Sequence, residues 1–420
     1  MRRPARAWMA VGSFLLGGAI AAADASAGES KITRLAQKLQ RIEIDDETVV
    51  PEQARPLIAS LRDAVREWAI GQVRAGRIPE SPDGPAADAM QKELEALFPK
   101  WNDETGYRYG TWAGVAIERV PEHPELVGVQ VTLNVPYGCD TSLTLLEKRG
   151  RGWQPVLTAQ SDEPREISDA WCEFSYGVSP ADANGRYFVV TANVTPWPTS
   201  NWQSLRWNVL RPGSSVTRPE VLASNSEPLF LGRDPAFDLV VTRDDFALGF
   251  VTSAECADGD GFQEKVRSFQ VNGTQLAEIW SAEEPVCDFL ADWTRAPWTE
   301  AASWAHPSAS PSVARWHDRI ASWAEQVGPS FAMEVGSAEP CVGGPARMQV
   351  EVDLYAGWSD ASGEPRRADV PGAPTALYLE LLPSQGVLRV LDISAEPHPG
   401  CPVTTPDDAV IATSAPGPLT

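Results

Sequence analysis

Val127-Gly128-Val129-Gln130-Val131-Thr132-Leu133-Asn134-Val135 sets apolar residues at every second position. Side chains of a strand point alternately to its two faces, so this stretch reads as a half-buried β-strand. Working outward, paired strand patterns follow with turn residues between them. Ser142–Glu147 and Trp153–Thr158 flank Lys148-Arg149-Gly150-Arg151-Gly152. Phe174, Tyr176 and Val178 precede a turn over 180–185, and Tyr187–Val194 returns. Phe237–Val241 leads through Arg243-Asp244-Asp245 into Phe246, Leu248 and Phe250, and Asn272-Gly273 marks a further tight hairpin. None of the connections is long and helical enough for a parallel crossover. The expectation is a mainly β chain with an antiparallel meander, arranged as a sandwich or as propeller-like blades.

Before this meander the period is 3.6 rather than 2. Ile32, Leu35, Leu39 and Ile42 recur at helical steps, as do Ile58, Leu61, Val65 and Trp68, and then Met90, Leu94 and Leu97. After it, Trp293, Trp298, Trp304, Trp316 and Trp323 crowd a helical segment interrupted over 306–311. Alternation resumes at Met348–Leu354, and Leu377–Leu382 and Val387–Ile393 form a hairpin. Helix followed by antiparallel strands is an α+β unit. The expected organisation is therefore a leader over 1–27, a helical segment over 28–105, an antiparallel β domain over 106–290, an α+β domain over 291–401 and a frayed tail over 402–420.

Arg2, Arg3 and Arg6, an apolar run over 7–23 and Ala25-Ser26-Ala27 have the layout of an export signal. The run is too short and too rich in Gly and Ala to span a bilayer, and no other segment reaches the roughly 18 apolar residues a span needs. Pro4-Ala5 follows the arginine pair where a twin-arginine signal needs an apolar side chain. No cysteine precedes Cys139, which leaves none at the cleavage point for a lipid anchor. Export, to a periplasm or the exterior, makes the six cysteines three expected disulfides. Pairing neighbours gives Cys139–Cys172, Cys256–Cys287 and Cys341–Cys401. None stands in C-x-x-C spacing, so zinc and thioredoxin-type chemistry are not expected.

The formal net charge is −22, and removing the leader makes it more negative by two units. Phosphate backbones and anionic membranes repel such a chain, so nucleic acid is not an expected partner. Usage of Arg over Lys, with much Ala, Pro and Gly, points to a GC-rich bacterial genome.

Signatures of catalysis are missing: there is no G-x-S-x-G, H-E-x-x-H, phosphate loop or strand-linked G-x-G-x-x-G. The four histidines are scattered, and no cofactor or metal is expected. Cys256-Ala257-Asp258-Gly259-Asp260-Gly261 resembles the start of a calcium loop, but Phe262 and Phe269 stand where further ligands belong, so an acidic turn is the better reading. Carboxylates are abundant, yet nothing selects a pair for glycoside hydrolysis.

The one excess is tryptophan, sixteen in 420 residues. Trp316 and Trp323 share a helical face with Ile320 and read as core. Trp197, Trp202 and Trp207 instead lie in or beside a Pro/Ser/Asn loop that leads into a strand. An indole held there offers a flat apolar face and a polar N–H to a sugar ring or a peptide proline. The ligand-binding candidates are thus Trp197, Asn201 and Trp202. The functional expectation is a non-catalytic binding or envelope-associated protein with a glycan or peptide ligand. The alternatives are a secreted hydrolase using two carboxylates and a structural protein of the cell surface or periplasm.

Overall fold

The computed structural model describes residues 30–44, 46, 48–100, 108–136, 138–196, 200–253, 262–279, 286–309, 311–328, 331–336, 339–342, 347–356, 368–384, 387–401 and 410–413. The fold is mainly β, with helices at the N-terminus, antiparallel four-stranded meanders and a C-terminal α+β unit. Its contacts divide the chain into two compact units, Met1–Arg243 and Asp244–Thr420.

The N-terminal unit begins with helix α1 (residues 30–39), α2 (Arg55–Arg74) and α3 (Pro85–Glu95). A first meander follows: β1 (Ala113–Arg119), β2 (Leu126–Val135), β3 (Gly138–Arg149) and β4 (Gly152–Gln160), paired in that order. The second is β5 (Cys172–Val178), β6 (Val189–Val194), β7 (Trp202–Ser215) and β8 (Arg218–Phe230), again in sequence order. Strand β9 (Phe237–Val241) closes the unit.

The alternation in β2 explains how these layers stack. Val127, Val129, Val131, Leu133 and Val135 all join one core with Ile58, Leu61, Val65 and Val73 of α2 and with Ile32 and Leu39 of α1. The helical segment is therefore part of the first sheet's core and not a body of its own. On the other face of the first sheet, Leu126, Leu143, Leu145, Leu157 and Ala159 pack against Val189 and Leu210 of the second sheet. The order is helices, sheet, sheet.

Gly128 stands on this second face because a side chain has no room there. A Cβ at Gly128 would overlap the Tyr176 hydroxyl, far closer than van der Waals contact allows. Burial, with the Glu118 carboxylate beside it, keeps that phenol protonated well above its ordinary pKa. Gly128→Ala is expected to destabilise the unit by about 1–3 kcal/mol through overpacking. Thermal melts should show a second substitution, Tyr176→Phe, recovering part of the loss.

The C-terminal unit contains β10 (Asp245–Ser253), β11 (Phe262–Asn272) and β12 (Gln275–Ile279), with β11 pairing both neighbours. Asn272 pairs with Gln275, so the tight turn is Gly273-Thr274, with Gly273 at φ 62°. Helices α4 (Val286–Arg295), α5 (Trp298–Ala301) and α6 (Ser312–Val327) follow. The strands after them are β13 (Phe331–Val335), β14 (Glu339–Pro340), β15 (Met348–Ala356), β16 (Ala368–Asp369), β17 (Ala376–Ser384), β18 (Val387–Ser394) and β19 (Val410–Thr413). They form one antiparallel sheet in the order β18-β17-β15-β13-β19, with β14 and β16 pairing β15. Val350, Val352, Leu377 and Leu379 pack beneath Phe289, Trp293, Trp304, Ile320 and Trp323.

The division at Arg243 falls inside the span read as one β domain. Val410–Thr413 pairs with Val335–Ala332 as a sheet strand, where a frayed tail is expected. The leader 1–27 lies outside the described residues. The disulfides Cys139–Cys172 and Cys341–Cys401 are present, with Cα atoms 5.2 and 4.1 Å apart. Cys256 and the side chain of Cys287 lie outside the described residues, as do Asp258 and Asp260. No helix among the described residues is long and apolar enough to cross a membrane.

Candidate functional site: a polar cleft in the N-terminal unit

The space between the two sheets changes character along its length. At one end Val189 and Leu210 are register partners and belong to the apolar core. Two steps along, Thr191 pairs with Asn208, and two further, Asn193 pairs with Arg206. Period-2 geometry puts all of these on one face. Next to them, Ser226 and Ser224 of β8 pair with Arg206 and Asn208. A cleft opens at this polar end in two adjoining arms that share Trp171 and Arg206.

The outer arm has a volume of about 860 Å³. Glu52 and Arg55 reach it from the start of α2, and Gln160, Asp162, Glu163, Arg165 and Asp169 from the β4–β5 connection. That connection is fixed by backbone hydrogen bonds from Val50 to the Arg165 carbonyl (2.9 Å) and from Ile167 to the Thr48 carbonyl (3.0 Å). Asp169 accepts the backbone N–H groups of Arg165 and Glu166 at 3.0 and 3.1 Å. Arg66 donates to the Gln160 side chain at 2.6 Å. Beneath the arm, Arg62 donates to Asp140 (2.7 Å) and to the Ser161 hydroxyl (2.9 Å), tying α2 to the first sheet.

The inner arm is about 400 Å³ and runs over β6, β7 and β8. Trp171 stands at the junction. Its ring stacks on Phe174 with centroids 5.8 Å apart and planes 8° from parallel, and its carbonyl accepts the Thr141 N–H at 2.9 Å. The next residue is Cys172, held to Cys139 of β3 by the disulfide. The indole is therefore pre-positioned by three separate restraints.

The sequence-derived candidates lie further along. Trp202 opens β7, half-buried, with its ring edge against Phe230 at 5.3 Å and 63°. It shares a strand face with Arg206, about 13 Å away at the usual strand rise. Asn201 is exposed, and its carbonyl accepts the Leu231 N–H at 2.8 Å. Trp197 lies outside the described residues. The other members of the cleft were not singled out in the sequence. The signal available was polar alternation in two neighbouring strands, Thr191/Asn193 and Ser204/Arg206/Asn208, which reads as an ordinary solvent face. Trp207, Trp293 and Trp304 are buried, so much of the tryptophan excess is core packing.

A second polar cluster lies on the C-terminal sheet. Glu351 and Asp353 are two residues apart on β15, so they share a face. Tyr378 donates to Glu351 at 3.3 Å and Tyr355 to Asp353 at 3.2 Å. Burial, and then the Asp353 charge, push the Glu351 carboxyl above its ordinary value, while the Tyr378 hydrogen bond opposes them. The folded chain thus favours neutral Glu351. Its contribution to stability falls as pH rises from the ordinary glutamate range through the raised value. Glu351→Gln is expected to flatten the slope of melting temperature against pH from the ordinary glutamate range upward.

Among the described residues no cluster of three His, Cys, Asp or Glu is placed to hold a metal ion. His123 is buried, 2.8 Å from the Ser179 carbonyl and 3.2 Å from Glu125, and His317 packs edge-on to Trp293.

No protein-family model matches the chain, and no curated protein matches it. Among solved structures, an α-L-arabinofuranosidase from Fusarium graminearum in complex with an iminosugar inhibitor aligns over 71% of this chain and 91% of its own. The identity is 9% and the TM-score 0.24, and at that score the likeness carries no argument.

Proposed function

We propose that the protein is exported and binds a saccharide without transforming it, in the Trp171–Arg206 cleft with Trp202 at the far end of the same strand face. The observation that carries this reading is the composition of the cleft. A restrained indole stands among planar amide, guanidinium and carboxylate groups and hydroxyls, with little apolar lining. Sugar rings present apolar C–H faces that stack on indole and hydroxyls that pair with such planar polar groups. A peptide would draw on apolar pockets or an open sheet edge for its affinity. The export reading draws on the leader and on the two disulfides, which persist in oxidising compartments.

The test is a glycan and peptide array on the oxidised mature chain, with and without calcium, followed by calorimetry on the hits. Trp171→Ala is expected to weaken saccharide binding at least tenfold, and Trp202→Ala to weaken longer oligosaccharides more than short ones. Binding of peptides alone, or saccharide binding indifferent to Trp171→Ala in a folded variant, contradicts the proposal.

The second reading, a secreted hydrolase using two carboxylates, is favoured by one observation, the raised Glu351 beside Asp353. It requires release of reducing ends from a glycan that Glu351→Gln abolishes.

A further inference from the structure

The inner arm contains a polar side chain that the fold leaves unanswered. Asn193 is 1% exposed, and among the described residues neither its amide oxygen nor its amide nitrogen has a hydrogen-bond partner. Leaving such groups buried and unpaired costs about 1–3 kcal/mol, and natural proteins seldom do so without a reason. Asn193 lines the inner arm, in register with Arg206 on the neighbouring strand. The Arg206 guanidinium makes no hydrogen bond or ion pair with any described residue. Asn208, Ser224, Asn225 and Ser226 complete the lining, with Trp171 at the mouth. An unpaired cation in an arm without a carboxylate stands out in a chain with a net charge of −22.

We infer that the inner arm takes the carboxylate of a single acidic sugar residue, a uronate at the end of an otherwise neutral saccharide. This rests on the saccharide reading of the cleft and names the substituent it selects. The guanidinium fork matches a planar carboxylate with two parallel hydrogen bonds. The Asn193 amide donates to the same carboxylate or to the ring oxygen and accepts a hydroxyl, which answers both of its orphan atoms. A single acidic residue is favoured over several, because in the outer arm the four carboxylates of Glu52, Asp162, Glu163 and Asp169 outnumber the Arg55 and Arg165 cations and disfavour a second. The overall negative charge does not forbid the first. Charges more than about 8 Å away are largely screened at physiological ionic strength, whereas the Arg206 contact is direct.

The experiment is calorimetry on the oxidised full chain. The probes are short neutral oligosaccharides ending in one glucuronate or one galacturonate, each beside its carboxyl-reduced counterpart. The expected result is at least tenfold tighter binding of an acid form than of its reduced partner, with the preference falling as salt rises. Arg206→Gln is expected to equalise the two forms, and Arg206→Lys to retain part of the preference because it keeps the charge and loses the fork. Near-UV circular dichroism confirms that each variant is folded. Equal affinity of wild type for acid and reduced forms overturns this inference and leaves the saccharide reading standing. No binding of either form of any probe overturns it, and a negative glycan array as well would remove the saccharide reading beneath it. A preference that survives Arg206→Gln also overturns it, since another group would then be reading the carboxylate.

Discussion

Asp140→Ala is expected to remove about 3–5 kcal/mol of stability, a large share of the 5–15 kcal/mol typical of a folded domain. Arg62 and Asp140 are 2% and 0% exposed at their side chains and meet at 2.7 Å. Ser161 completes the set, donating to the second Asp140 oxygen at 2.6 Å while its own carbonyl accepts Arg62 at 3.1 Å. The Arg62 Nε already lies buried without a partner among the described residues, so the guanidinium has little in reserve. Removing the carboxylate leaves a cation in a low-dielectric core between α2 and the first sheet. The penalty belongs to the orphaned charge rather than to the pair, so the double variant Arg62→Met, Asp140→Leu should regain much of the loss. Urea unfolding followed by circular dichroism reads both. A loss below about 1 kcal/mol for Asp140→Ala would mean that water reaches the pair.

Replacing Cys341 and Cys401 by serine together is expected to destabilise the C-terminal unit by about 4 kcal/mol, the chain-entropy value for a loop of this size. The bridge spans a separation of 60 residues. It anchors the chain just before β19, whose four residues pair with β13 at the end of the seven-stranded sheet. Without the bridge, those few backbone pairs must by themselves repay the ordering of a long return segment. Hydrogen exchange should then show β19 and the 395–401 segment losing protection first, with β15 and β17 last. Uniform protection in the doubly substituted chain contradicts this account.

The parts of this fold that are legible in the sequence are those where one local rule decides. Strand β2 is visible because its valines must all face the helices, and the Gly150-Arg151 and Gly273-Thr274 turns because short hairpins need glycine at positive φ. Helix α2 is visible because Ile58, Leu61, Val65 and Trp68 form a buried stripe. Strand β8 is not, since Arg218–Phe230 lies at the edge of its sheet with a run of exposed polar residues at Ser224-Asn225-Ser226 and carries little alternation. Strand β19 is hidden for a different reason, its partner β13 being some 75 residues upstream.

The cleft was hidden by the same logic. Asn193 and Arg206 alternate with Ala192, Val194, Leu205 and Trp207, so the sequence assigns them correctly to the opposite face of their strands. Whether that face meets water or another sheet is a tertiary fact. Trp171 is similar: its adjacency to Cys172 is visible, but the stacking on Phe174 and the tether to β3 depend on which cysteine pairs with it. Composition marks the loop tryptophans, whereas the cleft is built mainly on strands and on the β4–β5 connection, which hold it in shape.

Locating a bound saccharide by NMR decides whether the Trp171–Arg206 cleft is the binding site. A mature chain with labelled indole and side-chain amide nitrogens is titrated with a saccharide found on the array. The Trp171 indole and the Asn193 amide signals are expected to move together along one saturating curve, while the buried Trp293 and Trp304 indoles of the C-terminal unit stay in place. Saturable shifts at Trp293 and Trp304 with Trp171 and Asn193 unmoved would contradict this expectation.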